Sequence, residues 1–418
     1  MSDIRLLPSS LKGSVSVPPS KSDVHRAIIC AALAKGRSVI SPVAFSQDIL
    51  ATLDCIKALG AEVTVGEDSV TVDGTHTFEK EGAELFCRES GSTLRFMIPV
   101  AAAGGVASRF TGAGRLPQRP LGVYTKLLPA HGVSCKTEGG LPFETGGRLT
   151  PGVFELPGDI SSQFVTGLLF ALPLLDGSSE IRLTSPLQSR GYVDMTLDVM
   201  RRFGVSVEQS DSGFLVSGPQ SYTPCAYETE GDWSQAAFFL AGAAIGGDVT
   251  VTGLRLDSRQ GDKEIAALLG RFGASVETAP DGVRCKAAGL SGIEIDASQI
   301  PDLVPVLSVC GAFAKGETRI YGAERVRLKE SDRLAAMKNA LSACGADIEE
   351  TPDGLLIRGR ESIPGGCADG CNDHRVVMSM AIAALKSENG ITVSDRESIT
   401  KSYDAFFEDY RAVNGKTV

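Results

Sequence analysis

The 418-residue sequence has no run of about 20 consecutive apolar residues, so no segment of it reads as a membrane-spanning helix. Its opening stretch, MSDIRLLPSSLKG, lacks the apolar core of a secretory signal. Positive charge is not in excess either: 41 Lys and Arg stand against 51 Asp and Glu, for a net charge of −10. A chain that acidic argues against nucleic acid or an anionic membrane as the main partner, and it confines any anion site to a local cluster of cations. Clustered cysteines are also missing. The ten cysteines are scattered through apolar or mixed segments, as at Cys30, Cys55, Cys310 and Cys344, which reads as the reduced, buried thiols of a cytosolic protein. Cys367 and Cys371 lie just ahead of His374, but three ligands without a second cluster fall short of a metal site.

What is present is a globular composition, 43% apolar and 22% charged. The length predicts two domains of roughly 200 residues each. An internal repeat organises them. A helical stretch ending in an apolar residue, then Gly, then a small or apolar residue recurs at Gly60, Gly132, Gly204, Gly273 and Gly345, spaced 72, 72, 69 and 72 residues apart. Alternating residues and a turn follow, as in EVTVGEDSVTVDG and DIEETPDGLLIRG, so each copy predicts a helix, a Gly cap and a hairpin. The copy after Gly132 is less regular.

Out of phase with these glycines run six segments rich in Ala, Leu and Val that open with short polar residues, near residues 20, 90, 161, 233, 302 and 373. Apolar on all sides and opened by Ser, Asp or Asn, they predict buried, capped helices. Six copies of helix, strand, helix and hairpin give two α/β domains of three copies each. The last copy stops near Gly415 without its closing hairpin, which the N-terminal strand IRLLPSSLKGSVSVP could supply. Residues 1–19 then belong with 231–418, residues 20–230 form the other domain, and the chain crosses twice, near Pro18-Pro19 and in 228–231.

Helix N-termini present free backbone N–H groups and partial positive charge, which suits phosphates and carboxylates. Unusual polar and cationic residues gather at those of the buried helices: Lys21, Ser22 and Arg26; Gly91, Ser92 and Arg95; Ser161, Ser162 and Gln163; Asp302; Asp373, His374 and Arg375. The second helices are expected to add Arg119, Ser189, Lys329, Glu330, Arg333 and Lys401. Taken singly, a Ser or Asp there is an ordinary cap and a Lys or Arg an ordinary solvated charge. Their recurrence at matching positions of an acidic protein is what points to an anion site.

Read in order, LKGSVSVPPSKSDVHRA, ESGSTLRF, GRLPQRPLG, DISSQFVTGLL, SRGYVDMTLDVM, EGDWSQAAFFLA, RLKESDRL, CNDHRVVM and ITKSY resemble the 5-enolpyruvylshikimate-3-phosphate synthase family almost from end to end. The resemblance implies two domains, each of three βαβαββ-type units about a pseudo-threefold axis, with the active site in the cleft between them. It implies transfer of the enolpyruvyl group of phosphoenolpyruvate to the 5-hydroxyl of shikimate 3-phosphate, in a cytoplasmic monomer without metal or organic cofactor. By motif, shikimate 3-phosphate would meet Lys21, Ser22, Arg26, Ser161, Ser162, Gln163, Ser189, Tyr192, Asp302 and Lys329. Phosphoenolpyruvate would meet Lys21, Gly91, Arg119, Gln163, Arg333, Arg375 and Lys401. Asp302 is the expected base, and Glu330 or Lys21 the acid at the methylene carbon. Two positions depart from the pattern: Glu89-Ser90-Gly91-Ser92 stands where members often read Asn-Ala-Gly-Thr, and Arg325 stands where Asn is expected.

Two other functions fit the repeat less well. A UDP-N-acetylglucosamine enolpyruvyl transferase typically relies on a reactive Cys in the loop that here reads GAGRLPQRP, with none. A non-catalytic protein that binds phosphorylated metabolites would need no Asp302, Glu330 and His374 facing its site.

Overall fold

The five glycines that mark the repeat all end their helices in the left-handed region, with φ of +113°, +82°, +81°, +110° and +92° at Gly60, Gly132, Gly204, Gly273 and Gly345. A Cβ is disfavoured there, so Gly stops the helix and turns the chain into the hairpin at little steric cost. The computed structural model describes residues 2–279 and 281–418. It divides into two compact units, Met1–Pro18 with Glu230–Val418, and Pro19–Thr229. The breaks fall one residue ahead of each boundary expected from the sequence.

Among the described residues each unit carries three four-stranded sheets and six helices. In unit 19–229 the helices are α1 Lys21–Leu33, α2 Gln47–Ala58, α3 Gly91–Gly104, α4 Gly122–Leu127, α5 Ser162–Ala171 and α6 Arg190–Arg202. In the other they are α7 Trp233–Gly246, α8 Glu264–Phe272, α9 Val304–Ala312, α10 Arg333–Ala343, α11 His374–Ala384 and α12 Phe406–Ala412. The odd-numbered helices are the apolar segments of the repeat. They are buried nearly throughout and pack on one another and on the sheets of their own unit. In the first unit Phe96 of α3 meets Phe170 of α5 edge to face at 5.6 Å. In the second, Phe239 of α7 packs on Phe406 of α12 at 5.6 Å. No helix among the described residues is long and apolar enough to cross a membrane. All ten cysteines are free thiols, with Cys30, Cys55, Cys310 and Cys344 buried.

The sheets show how one chain builds both units. In a regular copy, the strand before the inner helix pairs in parallel with the strand after it, as Gly82–Phe86 does with Ala107–Thr111 around α3. At the two crossings these partners are exchanged. Lys12–Ser16, which precedes α1, pairs with Asp248–Thr252 after α7, and Ala226–Glu228, which precedes α7, pairs with Arg37–Ser41 after α1. The last copy is completed by Ile4–Leu7, antiparallel to Ile391–Val393, with Lys416–Thr417 on its far side.

Caps follow the polar openings. Ser90, Ser161, Asp232 and Asp373 accept from Thr93, Gln163, Gln235 and Arg375 backbone N–H groups at 3.3, 3.3, 3.0 and 2.9 Å. α9 differs: a 3-10 turn, Pro301–Leu303, leads into it, and Asp302 is turned aside to other partners. The expected second helices also need correction. Arg119 follows a 3-10 turn ahead of α4, Ser189 is the residue before α6, Lys329 and Glu330 precede α10, and Lys401 ends the 3-10 segment Arg396–Lys401 ahead of α12. Of that set only Arg333 lies in an α-helix.

Candidate active site

The arrangement rests on an unusual economy of buried charge. The chain has 41 Lys and Arg, yet among the described residues those buried are six: Arg26, Arg95, Arg119, Arg333, Arg375 and Lys401. Burying a cation is costly unless carboxylates or other acceptors meet it. All six are positions where the repeat and the motifs place anion-binding groups.

In unit 19–229, Lys21 at the start of α1 forms a 2.8 Å ion pair with Asp48 of α2. Arg26 lies one turn further in and is turned into the protein. Its Nε donates to Thr196 at 2.8 Å, Nη1 to the Ser22 carbonyl at 2.6 Å and Nη2 to the Tyr192 carbonyl at 2.9 Å. The guanidinium also sits over the Phe96 and Tyr192 rings, at 5.4 and 5.9 Å. Burial draws its pKa down to about 10, against the pull of Tyr192 and Asp23. Arg26 thereby bonds the backbone of two other predicted residues, Ser22 and Tyr192.

The start of α3 is shaped by what Gly91 lacks. A Cβ there would lie 2.8 Å from Cζ of Arg119, so only a bare backbone lets this guanidinium lie across the helix end. Arg95, one turn on, donates from Nη1 to Gln163 Oε1 at 2.7 Å, and Gln163 Nε2 donates to Ser92 Oγ at 2.9 Å. Gln163 thus ties the N-termini of α3 and α5 together. Ser161 caps α5, Ser162 is buried in its first turn, and Ser189 turns the chain into α6 with φ +55°.

In the other unit, Arg333 is 1% exposed and meets three carboxylates. Nη1 is 2.8 Å from Asp302, Nη2 is 2.7 Å from Glu330 and Nε is 2.9 Å from Asp373. Burial alone would lower the Arg333 pKa, but Asp373, Glu330 and Asp302 outweigh it and hold it above its ordinary value. Asp302 is ringed by cations: besides Arg333, Lys329 is 3.5 Å and Arg375 Nη2 3.6 Å from its carboxylate, and Arg375 Nη1 donates to its carbonyl at 3.1 Å. Asp373 caps α11, accepts from Ser331 and Arg333, and is fully buried. Burial pushes its carboxyl up, but Arg333 and His374 outweigh it and keep the pKa below the usual value. Lys401 donates to the Asn372 carbonyl at 2.6 Å.

The motifs did not single out Asp48 or Asp262. The repeat carries a signal for both: Lys21 meets Asp48 at a separation of 27 residues, and Ser234, at the start of α7, donates to Asp262 at a separation of 28. Asp262 is buried, and its carboxyl is pushed up to about 6 by burial and then by Asp302, against the pull of Arg375. Arg325 donates to the Ser298 carbonyl at 2.7 Å.

A family model described as EPSP synthase (3-phosphoshikimate 1-carboxyvinyltransferase) matches residues 7–410. The sequence is 43% identical over 426 residues to a 3-phosphoshikimate 1-carboxyvinyltransferase of Clostridium novyi, covering 99% of this chain and 98% of that one. It is 40% identical over 431 residues to one from Clostridioides difficile, covering 100% and 98%. Among solved structures, an EPSP synthase from Acinetobacter baumannii aligns with a TM-score of 0.82 at 27% identity, over 100% of this chain and 99% of that one. The enolpyruvyl transferase NikO from Streptomyces tendae, 18% identical, shares the fold with a TM-score of 0.80 over 100% and 98%.

Proposed function

The chain belongs to the EPSP synthase family, and from that premise we propose how its buried cations serve the reaction. It is a 3-phosphoshikimate 1-carboxyvinyltransferase: the enolpyruvyl group of phosphoenolpyruvate passes to the 5-hydroxyl of shikimate 3-phosphate, and phosphate leaves. Each substrate carries a phosphate and a carboxylate, so four like-charged groups must be held together. Cations held in place by each unit supply that at little reorganisation cost during the reaction. The six buried cations are the observation that carries this reading.

In this assignment Lys21, Ser22, Arg26, Ser161, Ser162, Gln163, Ser189, Tyr192, Asp302 and Lys329 receive shikimate 3-phosphate, and Arg26 also bonds the backbone of Ser22 and Tyr192. Lys21, Gly91, Arg119, Gln163, Arg333, Arg375 and Lys401 hold phosphoenolpyruvate. Asp302 and Glu330 occupy the Arg333 faces that an incoming carboxylate takes, so binding exchanges one carboxylate for another. Asp302 accepts the 5-hydroxyl proton as that oxygen bonds to C2 of phosphoenolpyruvate. The methylene carbon gains a proton from Glu330 or Lys21 to give a tetrahedral intermediate. Loss of a proton from the new methyl group then expels phosphate and restores the enol ether. The protein acts in the cytoplasm apart from membranes and nucleic acid, a reading supported by its net charge of −10 and its scattered thiols, and as a monomer, which the family resemblance alone supports.

Phosphate release tests the function, with shikimate 3-phosphate and UDP-N-acetylglucosamine offered as alternative acceptors and no metal added. Release with shikimate 3-phosphate alone is the expected result. Release with the sugar nucleotide alone, or with neither, would overturn it. Gly91→Ala tests the phosphoenolpyruvate site. The new methyl displaces the end of a flexible Arg119 side chain, so folding should survive while the guanidinium shifts by about 1 Å. KM for phosphoenolpyruvate is expected to rise on the order of tenfold or more, with the melting temperature nearly unchanged.

A further inference from the structure

Behind the first turn of α3 runs a hydrogen-bonded chain of four side chains drawn from α1, α2 and the start of α3. His25 Nδ1 and Thr52 Oγ1 lie 2.6 Å apart, Thr52 Oγ1 and Thr93 Oγ1 lie 2.8 Å apart, and Thr93 Oγ1 donates to Ser90 Oγ at 2.8 Å. Ser90 Oγ also accepts from the Thr93 backbone N–H at 3.3 Å, which closes the first turn of the helix. All four residues are exposed by 1% or less. A fully buried polar chain of this kind is kept only where its members satisfy one another.

Its direction follows from counting protons, since each hydroxyl carries one. Thr93 donates to Ser90, so its oxygen accepts from Thr52. Thr52 shares its proton between Thr93 at 2.8 Å and the more distant Asp48 carbonyl at 3.4 Å and accepts from His25, which places the imidazole proton on Nδ1. Burial, and then Lys21 and Arg26, hold the His25 pKa well below its ordinary value, so the ring is neutral. Nε2 has no hydrogen-bond partner, and a proton placed there would be a buried donor without an acceptor. The chain therefore runs one way, from His25 through Thr52 and Thr93 to Ser90.

We propose that His25, Thr52 and Thr93 are positioning residues for the anion held at Gly91: their one-way chain locks Ser90 and the first turn of α3 so that the bare Gly91 backbone faces the Arg119 guanidinium. The motif departure at this loop finds its role here. Ser90 stands where Ala is common in the family, and Ala could not accept the bonds that end the chain. The inference rests on the assignment of phosphoenolpyruvate to Gly91 and Arg119.

Thr52→Val keeps the shape of the side chain and removes both its donor and its acceptor. KM for phosphoenolpyruvate is expected to rise about fivefold, with kcat and KM for shikimate 3-phosphate within about twofold of the parent. Thr52→Ser should restore the parent KM. Ser90→Ala cuts the other end of the chain, and the double variant should show little more than either single change, because both break one device. An unchanged KM in Thr52→Val, additive effects in the double variant, or failure of Thr52→Ser to rescue would overturn the proposal. A parent enzyme that releases no phosphate would instead sink the assigned reaction. Calorimetric titration with inorganic phosphate then still decides the matter. Weaker phosphate binding in Thr52→Val, restored in Thr52→Ser, supports the chain, and equal binding overturns it.

Discussion

Asp302→Asn is expected to lower kcat by about two to four orders of magnitude while KM for either substrate changes by no more than a few-fold. The carboxylate is held by Arg333 at 2.8 Å, Lys329 at 3.5 Å and Arg375 at 3.6 Å. Three cations thus face the carboxylate assigned to take the 5-hydroxyl proton. Asn keeps the size of the side chain and an oxygen to accept from Arg333, so binding geometry should survive. It cannot take the 5-hydroxyl proton. Steady-state rates of phosphate release at saturating substrates make the comparison, with the melting temperature recorded alongside. Turnover within about threefold of the parent would remove Asp302 from the role of base.

Arg333→Met carries the largest expected effect on stability. It removes a cation with 1% exposure from among Asp302, Glu330 and Asp373, of which Asp373 is fully buried. Breaking a buried pair from one side leaves the other charge uncompensated, and the cost is about 3–5 kcal/mol. Denaturant unfolding should show it as a lower midpoint at unchanged slope. In the parent, Arg333 helps hold the Asp373 pKa below its unfolded value, so this interaction stabilises the fold above that value and is lost as pH falls through the folded pKa. In the variant, burial should raise the folded pKa above the unfolded one. The defect should therefore be greatest at neutral pH and shrink as Asp373 protonates in acid. Asp373→Asn placed on top should recover part of the midpoint. A loss under about 1 kcal/mol, flat with pH, would show that the three carboxylates do not depend on this guanidinium.

These two residues also show how far reading the chain can go. Both were named from motifs, and both lie in copies whose boundaries a glycine with positive φ announces. The motifs assign Arg333 to phosphoenolpyruvate and do not show what surrounds it. In the fold it is wrapped by three carboxylates, one of them 40 residues away in sequence. Neither Asp48 nor Asp262 sits in a recognisable cap or motif. Their partners, Lys21 and Ser234, lie on neighbouring helices that only packing brings alongside. The chain from His25 to Ser90 was invisible for the same reason, since it joins three helices through side chains of ordinary composition.

The sequence by itself determined six copies of one α/β unit, the glycines that end its helices, and the family. Each of these is a local matter of periodicity, capping and backbone freedom, or a match of motifs in order. Only the tertiary structure decided which carboxylate answers which cation, which backbone carbonyls Arg26 bonds, and how strands are exchanged at the two crossings. Those outcomes depend on the angles at which helices pack and on which buried charges must find partners away from water, and neither is written in any short stretch of chain.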